Sequence, residues 1–90
     1  SAMRNIICKD QRAAIEVQRA LPDASVIWPC VRQFRCFTAE VIEVMPDIDL
    51  DQDVDGMTLA QHIKARQMTF NNPRIEVLSA HDRLKILRDG

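Results

Sequence analysis

Glycine is scarce in this sequence of 90 residues, which contains only Gly56 and Gly90. Phosphate-binding loops of the P-loop and dinucleotide types need several glycines directly after a strand, where the backbone approaches the phosphates closely. No glycine follows the first apolar run, which ends at Cys8. The sequence therefore excludes nucleotide binding through either motif.

Long apolar runs are also missing. No segment approaches the roughly 20 apolar residues that a membrane-spanning helix needs, and no signal peptide is evident. We therefore expect a cytoplasmic protein that makes no membrane contact. Ser1 and Ala2 are interpreted as a tag remnant before a native Met3. Residues 3–90 are interpreted as a single small domain, because a chain of this length forms one modest core.

Cysteine occurs three times, but no two cysteines have the C-x-x-C spacing of zinc and redox motifs. Cys8, Cys30 and Cys36 lie among apolar residues, and free cysteine is among the most buried residue types. His62 and His81 are too distant in sequence to complete a compact zinc motif. We expect buried, reduced thiols without zinc. No nucleophile has a sequence-visible base, so neither a cofactor nor enzymatic activity is expected.

Short apolar runs alternate with helical patterns along the chain. Strands are predicted at Asn5–Cys8, Ser25–Trp28, Ala39–Met45 and Ile75–Leu78, and helices at Gln11–Leu21, capped by Asp10, and Met57–Phe70. Residues 31–38 are ambiguous, and Leu84–Leu87 fits either a last strand or a short helix. The pattern predicts a small α/β fold, Rossmann-like or flavodoxin-like, whose mostly parallel sheet has about four strands with two or three helices.

The apolar side of each predicted element supplies a candidate core. The residues expected to be buried are Ile7, Val17, Ile27, Ile42, Val44, Leu59, Ile63 and Val77.

Three short motifs follow one another between residues 44 and 82: V-M-P-D, D-G-M-T-L and R-I-E-V-L-S-A-H-D. In this order they resemble the middle of a response-regulator receiver domain. The resemblance implies that Asp10 is one of the acids that hold magnesium and that Ser79 is the switch hydroxyl. The phospho-acceptor aspartate of the family corresponds to Ile42 here. The resemblance therefore implies a degenerate signalling domain without phosphoryl transfer and with at most a weak divalent-metal site.

Residues 35–42, R-C-F-T-A-E-V-I, are similar to the segment before the acidic strand of helicase-type ATPases. Cys36 replaces the usual glycine of that segment, and Met45 occupies an acidic position. This second resemblance implies the same three-layer α/β plan and the same lack of catalytic groups.

The net charge is only −1, but the acidic residues are concentrated in one segment. Residues 43–55 contain six acidic side chains and no Lys or Arg, whereas the rest of the chain carries the other seven acids against all 12 basic residues. Such a separation of charge affects the choice of partner and the rate of association rather than the fold.

Five aspartates alternate with other residues in this segment: Asp47, Asp49, Asp51, Asp53 and Asp55. The last three, followed by Gly56, match the D-x-D-x-D-G start of a calcium loop, in which carboxylates converge on the ion. His62 stands where a bidentate glutamate should close such a loop. These aspartates are therefore only weak metal candidates, and no metal site is predicted.

An extended segment is the alternative. In a strand the five aspartates would form one row, while Ile48, Leu50 and Val54 would face the core. Without a binding role, the aspartates would form a charged row that protects an exposed sheet edge from pairing with other chains, or a solvated loop. The row could also form a docking surface that resembles nucleic-acid phosphates and fits a basic groove.

The sequence thus predicts a non-catalytic interaction module, a regulator or inhibitor whose acidic residues dock on a protein with a basic surface, with homodimerisation as a further expectation. Direct nucleic-acid binding is the alternative. Arg32, Phe34, Arg35 and Phe37 mix cations with aromatic rings, as single-strand binders do. An overall basic domain is missing, which makes nucleic acid the less expected partner.

Overall fold

The computed structural model describes residues 4–30, 42–69, 75–77 and 80–89. In chain order its elements are β1 Asn5–Ile7, α1 Gln11–Ala20, β2 Ser25–Ile27, β3 Ile42–Val44, β4 Asp53–Val54, β5 Met57–Thr58, α2 Leu59–Thr69, β6 Ile75–Val77 and α3 Ala80–Asp89. The predicted α/β class is confirmed.

Four strands pair in the order β2-β1-β3-β6, and every pairing is parallel. In the middle of the sheet, Ile7 lies between Ile27 and Val44. The ladder continues past the strand ends, because the Cys8 N–H donates to the Ile27 carbonyl at 2.8 Å and the Met45 N–H donates to the Ile7 carbonyl at 3.1 Å. All three residues of β1 are buried. Burial on both faces explains its uninterrupted apolar run.

Helices cover both faces of the sheet. On one face, Ile7 and Val44 pack with Leu59 and Ile63 of α2. On the other face, Ile6, Cys8 and Met45 form a cluster with Ala14 and Val17 of α1, and Leu87 of α3 packs against it. Seven of the eight predicted core residues are buried, with at most 3% of their surface exposed. The side chain of the eighth, Val77, lies outside the described residues.

Helix α1 begins where its cap was predicted. Asp10 has an extended backbone, and its carboxylate accepts a hydrogen bond from the Ala13 N–H at 2.8 Å. This bond satisfies one of the amides that the first turn of a helix leaves free. The helix ends at Ala20, just before Leu21 and Pro22.

Other boundaries differ from the predictions. Helix α2 starts at Leu59 rather than Met57, because Met57 and Thr58 form β5. Leu84–Leu87 is helical and belongs to the longer α3. Residues 31–38 and the first part of the predicted strand at 39–45 lie outside the described residues. None of the helices described is long and apolar enough to cross a membrane.

Candidate functional site

The acidic segment is not one extended strand, so the predicted straight row of carboxylates is wrong. Glu43 and Val44 belong to β3 and Asp53 and Val54 to β4, whereas residues 46–52 between them form turns and loops. The Asp49 carboxylate accepts a hydrogen bond from the Asp51 N–H at 3.0 Å. An aspartate that bonds its own backbone two residues on stabilises a turn in competition with a strand. Gln52 reinforces the turn by donating from Nε2 to the Asp49 carbonyl at 2.8 Å.

A tight hairpin follows this turn. Strands β4 and β5 are antiparallel, with Val54 opposite Met57. The two residues between the strands, Asp55 and Gly56, have φ values of 53° and 90°. Positive φ at both positions is what a type I′ hairpin turn requires, and Asp-Gly is among its preferred sequences. The Asp-Gly pair in the sequence therefore contained a hairpin signal that the alternation of aspartates obscured.

Buried or partly buried apolar side chains and exposed acidic side chains alternate as predicted, although the segment is not one strand. Val54 is buried, and Ile48 and Leu50 are partly buried and pack against the core. Residues Asp47, Asp49, Asp51, Asp53 and Asp55 are exposed. The apolar side chains thus anchor the segment, and the aspartates remain in water.

Backbone hydrogen bonds join the acidic segment to the start of α2. The Leu59 N–H donates to the Gln52 carbonyl and the Ala60 N–H to the Leu50 carbonyl, each at 2.9 Å. Two amides that the first turn of a helix leaves without intrahelical partners are satisfied in this way. The segment and α2 therefore form one structural unit.

A capping box completes this junction. The Thr58 N–H donates to Gln61 Oε1 at 2.8 Å, and the Gln61 N–H donates to Thr58 Oγ1 at 3.1 Å. The T-x-x-Q spacing in the sequence is a signature of such a box. One turn further on, His62 Nε2 is hydrogen-bonded to the Val54 carbonyl. Because a carbonyl only accepts, Nε2 carries the proton.

Two of the six acidic residues in the segment have basic partners. Asp47 Oδ2 lies 3.7 Å from Lys9 Nζ. Glu43 accepts two hydrogen bonds from Arg4, at 2.7 and 2.8 Å. In the part of the chain that the structure describes, the other four carboxylates have no basic side chain as a partner. We call residues 49–58 the acidic hairpin, and its unpaired carboxylates are those of Asp49, Asp51, Asp53 and Asp55.

The Arg4–Glu43 pair is structural. It connects the residue before β1 to the middle of β3, and only 13% of the Glu43 side chain is exposed. The hydrogen bonds with Glu43 are the main reason that the pKa of Arg4 is raised. A planar guanidinium bound at two points by a carboxylate is among the strong pairs in proteins. Glu43 therefore has a structural role that the exposed aspartates do not share.

The residues considered as metal ligands do not converge. Among the described residues, no group of three or more His, Cys, Asp or Glu side chains is arranged to hold a metal ion. The Asp53 carboxylate lies 3.5 Å from the Gly56 N–H, and His62 bonds to a carbonyl instead of closing a calcium loop. Cys8 is buried and Cys30 partly buried, and neither forms a disulfide within the described residues. Cys36 lies outside the described residues.

Two of the positions implied by the receiver resemblance lie among the described residues. Asp10 caps α1, and Ile42 is 1% exposed within the core. Ser79 lies outside the described residues. A cleft beside Cys8 and Asp47, at the carboxyl edge of the sheet, has a volume of about 10 Å³. That is about the space of one water molecule and far below the several hundred Å³ of ligand pockets.

The residues of the alternative nucleic-acid surface, Arg32, Phe34, Arg35 and Phe37, all lie outside the described residues. That interpretation stays a prediction.

No protein-family model matches this chain, and comparison with curated proteins and with solved structures gives no match. The function must therefore be inferred from the geometry and charge of the chain itself.

Proposed function

We propose that this protein is a non-catalytic interaction module that docks through its acidic hairpin on a basic surface of a partner protein. One observation carries the proposal. Four exposed carboxylates are concentrated in seven consecutive residues, from Asp49 to Asp55, without a basic partner in the described chain.

The hairpin is fixed well enough to present these charges in one arrangement. Its turn is held by the Asp49 carboxylate and the Gln52 amide, and Val54 anchors it in the core. A surface that is already ordered loses little conformational entropy on binding, which favours affinity. This distinguishes the hairpin from a solvated acidic tail.

Like charges at close spacing repel one another, and a cationic surface relieves that repulsion. The summed field of such a patch accelerates encounter with an oppositely charged partner. Asp47 lies at the margin of the patch, because Lys9 already pairs with it. A protein that binds nucleic-acid phosphates presents a suitable basic surface, and occupation of that surface would make the module an inhibitor or regulator.

We further propose that the fold is a degenerate, receiver-like member of the flavodoxin-like class. The order β2-β1-β3-β6 with parallel pairing supports this, since flavodoxin-like sheets share the order 2-1-3-4 over their first four strands. The buried Ile42 at the phospho-acceptor position supports a role without phosphoryl transfer. In such a domain the surface, rather than a catalytic centre, carries the function.

The test uses an immobilised lysine-rich peptide and the full chain. Changing Asp49, Asp51, Asp53 and Asp55 together to Asn keeps side-chain oxygens that can accept the turn hydrogen bonds. Binding should weaken about tenfold or more, because exposed ion pairs contribute about 0.2 to 1 kcal/mol each and 1.4 kcal/mol corresponds to a factor of ten.

The matched control removes four exposed acids elsewhere: Glu16→Gln, Asp23→Asn, Asp82→Asn and Asp89→Asn. It alters the net charge by the same amount and should leave most of the binding intact. Equal losses in the two variants would show that net charge, and not the hairpin, determines binding.

A further inference from the structure

The outer side of α1 is a basic surface with an apolar residue in it. Ala14 and Val17 bury the inner side, whereas Arg12, Ile15 and Arg19 are exposed. Residues three and four apart lie on the same side of a helix, so Ile15 adjoins both arginines. We call these three residues the basic helix face.

The acidic hairpin has the complementary composition. In the described part of the chain, two large apolar side chains are exposed: Ile15 at 44% and Met57 at 39%. Ile15 lies between two arginines, and Met57 follows Asp53 and Asp55 across the hairpin turn. An apolar contact surrounded by charged residues of opposite sign on the two sides is the usual composition of a protein–protein interface.

The two surfaces of one molecule cannot meet. Val54 places the hairpin with Leu59 and Ile63 on the α2 side of the sheet, whereas Val17 of α1 packs against Ile6 on the opposite side. Contact between them therefore requires two molecules.

We propose that the basic helix face binds the acidic hairpin of a second copy of this chain, with Arg12 and Arg19 against Asp51 and Asp53, and with Ile15 covering Met57. This inference rests on the proposed function, because the hairpin is the docking element in both. The contact joins two different surfaces. A pair of molecules that makes it reciprocally is a two-fold dimer, whereas a contact made once by each pair produces a closed ring or an open chain. Glu16 is also exposed and lies four residues after Arg12 and three before Arg19, so it adjoins the arginines on the flank away from Ile15, where it lines the cleft beside Leu87. The two arginines still outnumber this single carboxylate.

Charge reversal on either surface tests the contact by sedimentation velocity over a range of protein concentrations. The wild type should self-associate, and the association should weaken as salt rises from about 0.1 M to about 1 M, which shortens the Debye length from about 10 Å to about 3 Å. The variant Arg12→Glu with Arg19→Glu should not self-associate. Nor should Asp51→Lys with Asp53→Lys, because each variant opposes like charges.

An equimolar mixture of the two variants should associate again. The unchanged hairpin of the first variant then meets the unchanged helix of the second, and the two reversed surfaces also attract one another. Lys64→Glu with Lys85→Glu, on exposed positions of α2 and α3, makes the same change in net charge as the arginine variant and should associate like the wild type. Circular dichroism verifies that every variant is folded.

A monomeric wild type at about 0.1 M salt, where the Debye length is about 10 Å, or a mixture that fails to associate, would overturn the inference. The lysine-rich peptide separates this failure from failure of the proposed function. If the wild type is monomeric and its hairpin still binds the peptide, the docking surface stands and its partner is another protein. If the peptide also fails to bind, both proposals are wrong.

Discussion

Substitution of a buried valine in the centre of the sheet tests how tightly the core is packed. Val44 has 1% of its surface exposed and pairs with Ile7 of β1. Val44→Ala should lower the free energy of unfolding by about 2 kcal/mol, because it removes buried methyl groups and leaves a cavity. Urea titration measures the change. The control Val26→Ala, on the partly buried strand β2, should lower the free energy of unfolding less. A loss below about 1 kcal/mol for Val44→Ala would contradict close packing around Val44.

The Arg4–Glu43 pair makes a second prediction at the residue scale. Each single change to Ala should destabilise the fold by about 1.5 kcal/mol, the usual cost of losing a hydrogen bond to a charged group. Because the two side chains bind each other at two points, the double variant should cost less than the sum of the single ones. Strict additivity in urea titrations would show that the pair contributes no coupling energy.

The pH dependence of this pair follows from the raised pKa of Arg4. A group that holds its proton more tightly in the folded state contributes stability at every pH below its unfolded pKa. The contribution disappears only as the pH rises through the folded pKa. From the arginine side, therefore, the pair is insensitive to pH across the neutral range.

At the scale of elements, the hairpin depends on its turn residues. Gly56 has a φ of 90°, and a Cβ there would meet no atom within 4 Å. Gly56→Ala should therefore lower the free energy of unfolding by about 1 kcal/mol through backbone strain alone. Asp55→Asn should leave stability nearly unchanged, since asparagine tolerates positive φ. Urea titration of both variants checks this, and a neutral Gly56→Ala would mean that the turn is not of type I′.

The same turn predicts weak metal binding. Asp53 interacts with the Gly56 N–H, and no glutamate closes the loop. Isothermal titration calorimetry should show no calcium or magnesium binding with a dissociation constant below about 10 μM, the range of sensor loops. Tighter calcium binding that the change Asp51→Asn abolishes would show that the aspartates do converge on an ion.

Most elements of the fold were predictable because local signals agreed with tertiary packing. The apolar period of α1 and the cap at Asp10 identify one helix, and uninterrupted apolar runs identify strands buried on both faces. The sequence could not show which strands are neighbours. That order depends on how the helices cover the two faces of the sheet.

The candidate site was predicted in composition but not in shape. Exposed aspartates and inward-facing Ile48, Leu50 and Val54 follow from the alternating pattern. The pattern nevertheless suggested one strand, because it has the period of a strand and outweighs a single Asp-Gly pair. Pairing of Asp47 with Lys9 joins residues far apart in sequence. No local pattern contains that information.

At the scale of the whole molecule, the separation of charge is produced by the fold as well as by the sequence. Two acids of the segment pair with Arg4 and Lys9, so the other four acids of the segment all lie on the acidic hairpin. The basic helix face lies on the other side of the sheet. A molecule with opposite charges on opposite sides orients as it approaches a charged partner, which raises the rate of productive encounter.

This field predicts the kinetics of binding to a basic partner. Single changes of Asp49, Asp51 or Asp53 to Asn should have small effects, because one exposed ion pair contributes about 0.2 to 1 kcal/mol. The triple variant should associate more slowly, and its rate should depend less on salt, because peripheral charges act mainly on the association rate. Stopped-flow mixing with the lysine-rich peptide measures both.

The control is Arg32→Ala with Arg35→Ala, which should leave peptide binding intact. If the triple variant is unchanged at all salt concentrations while the arginine variant loses single-stranded nucleic-acid binding, the acidic hairpin is only a solvated turn. Function then lies with residues 32–37.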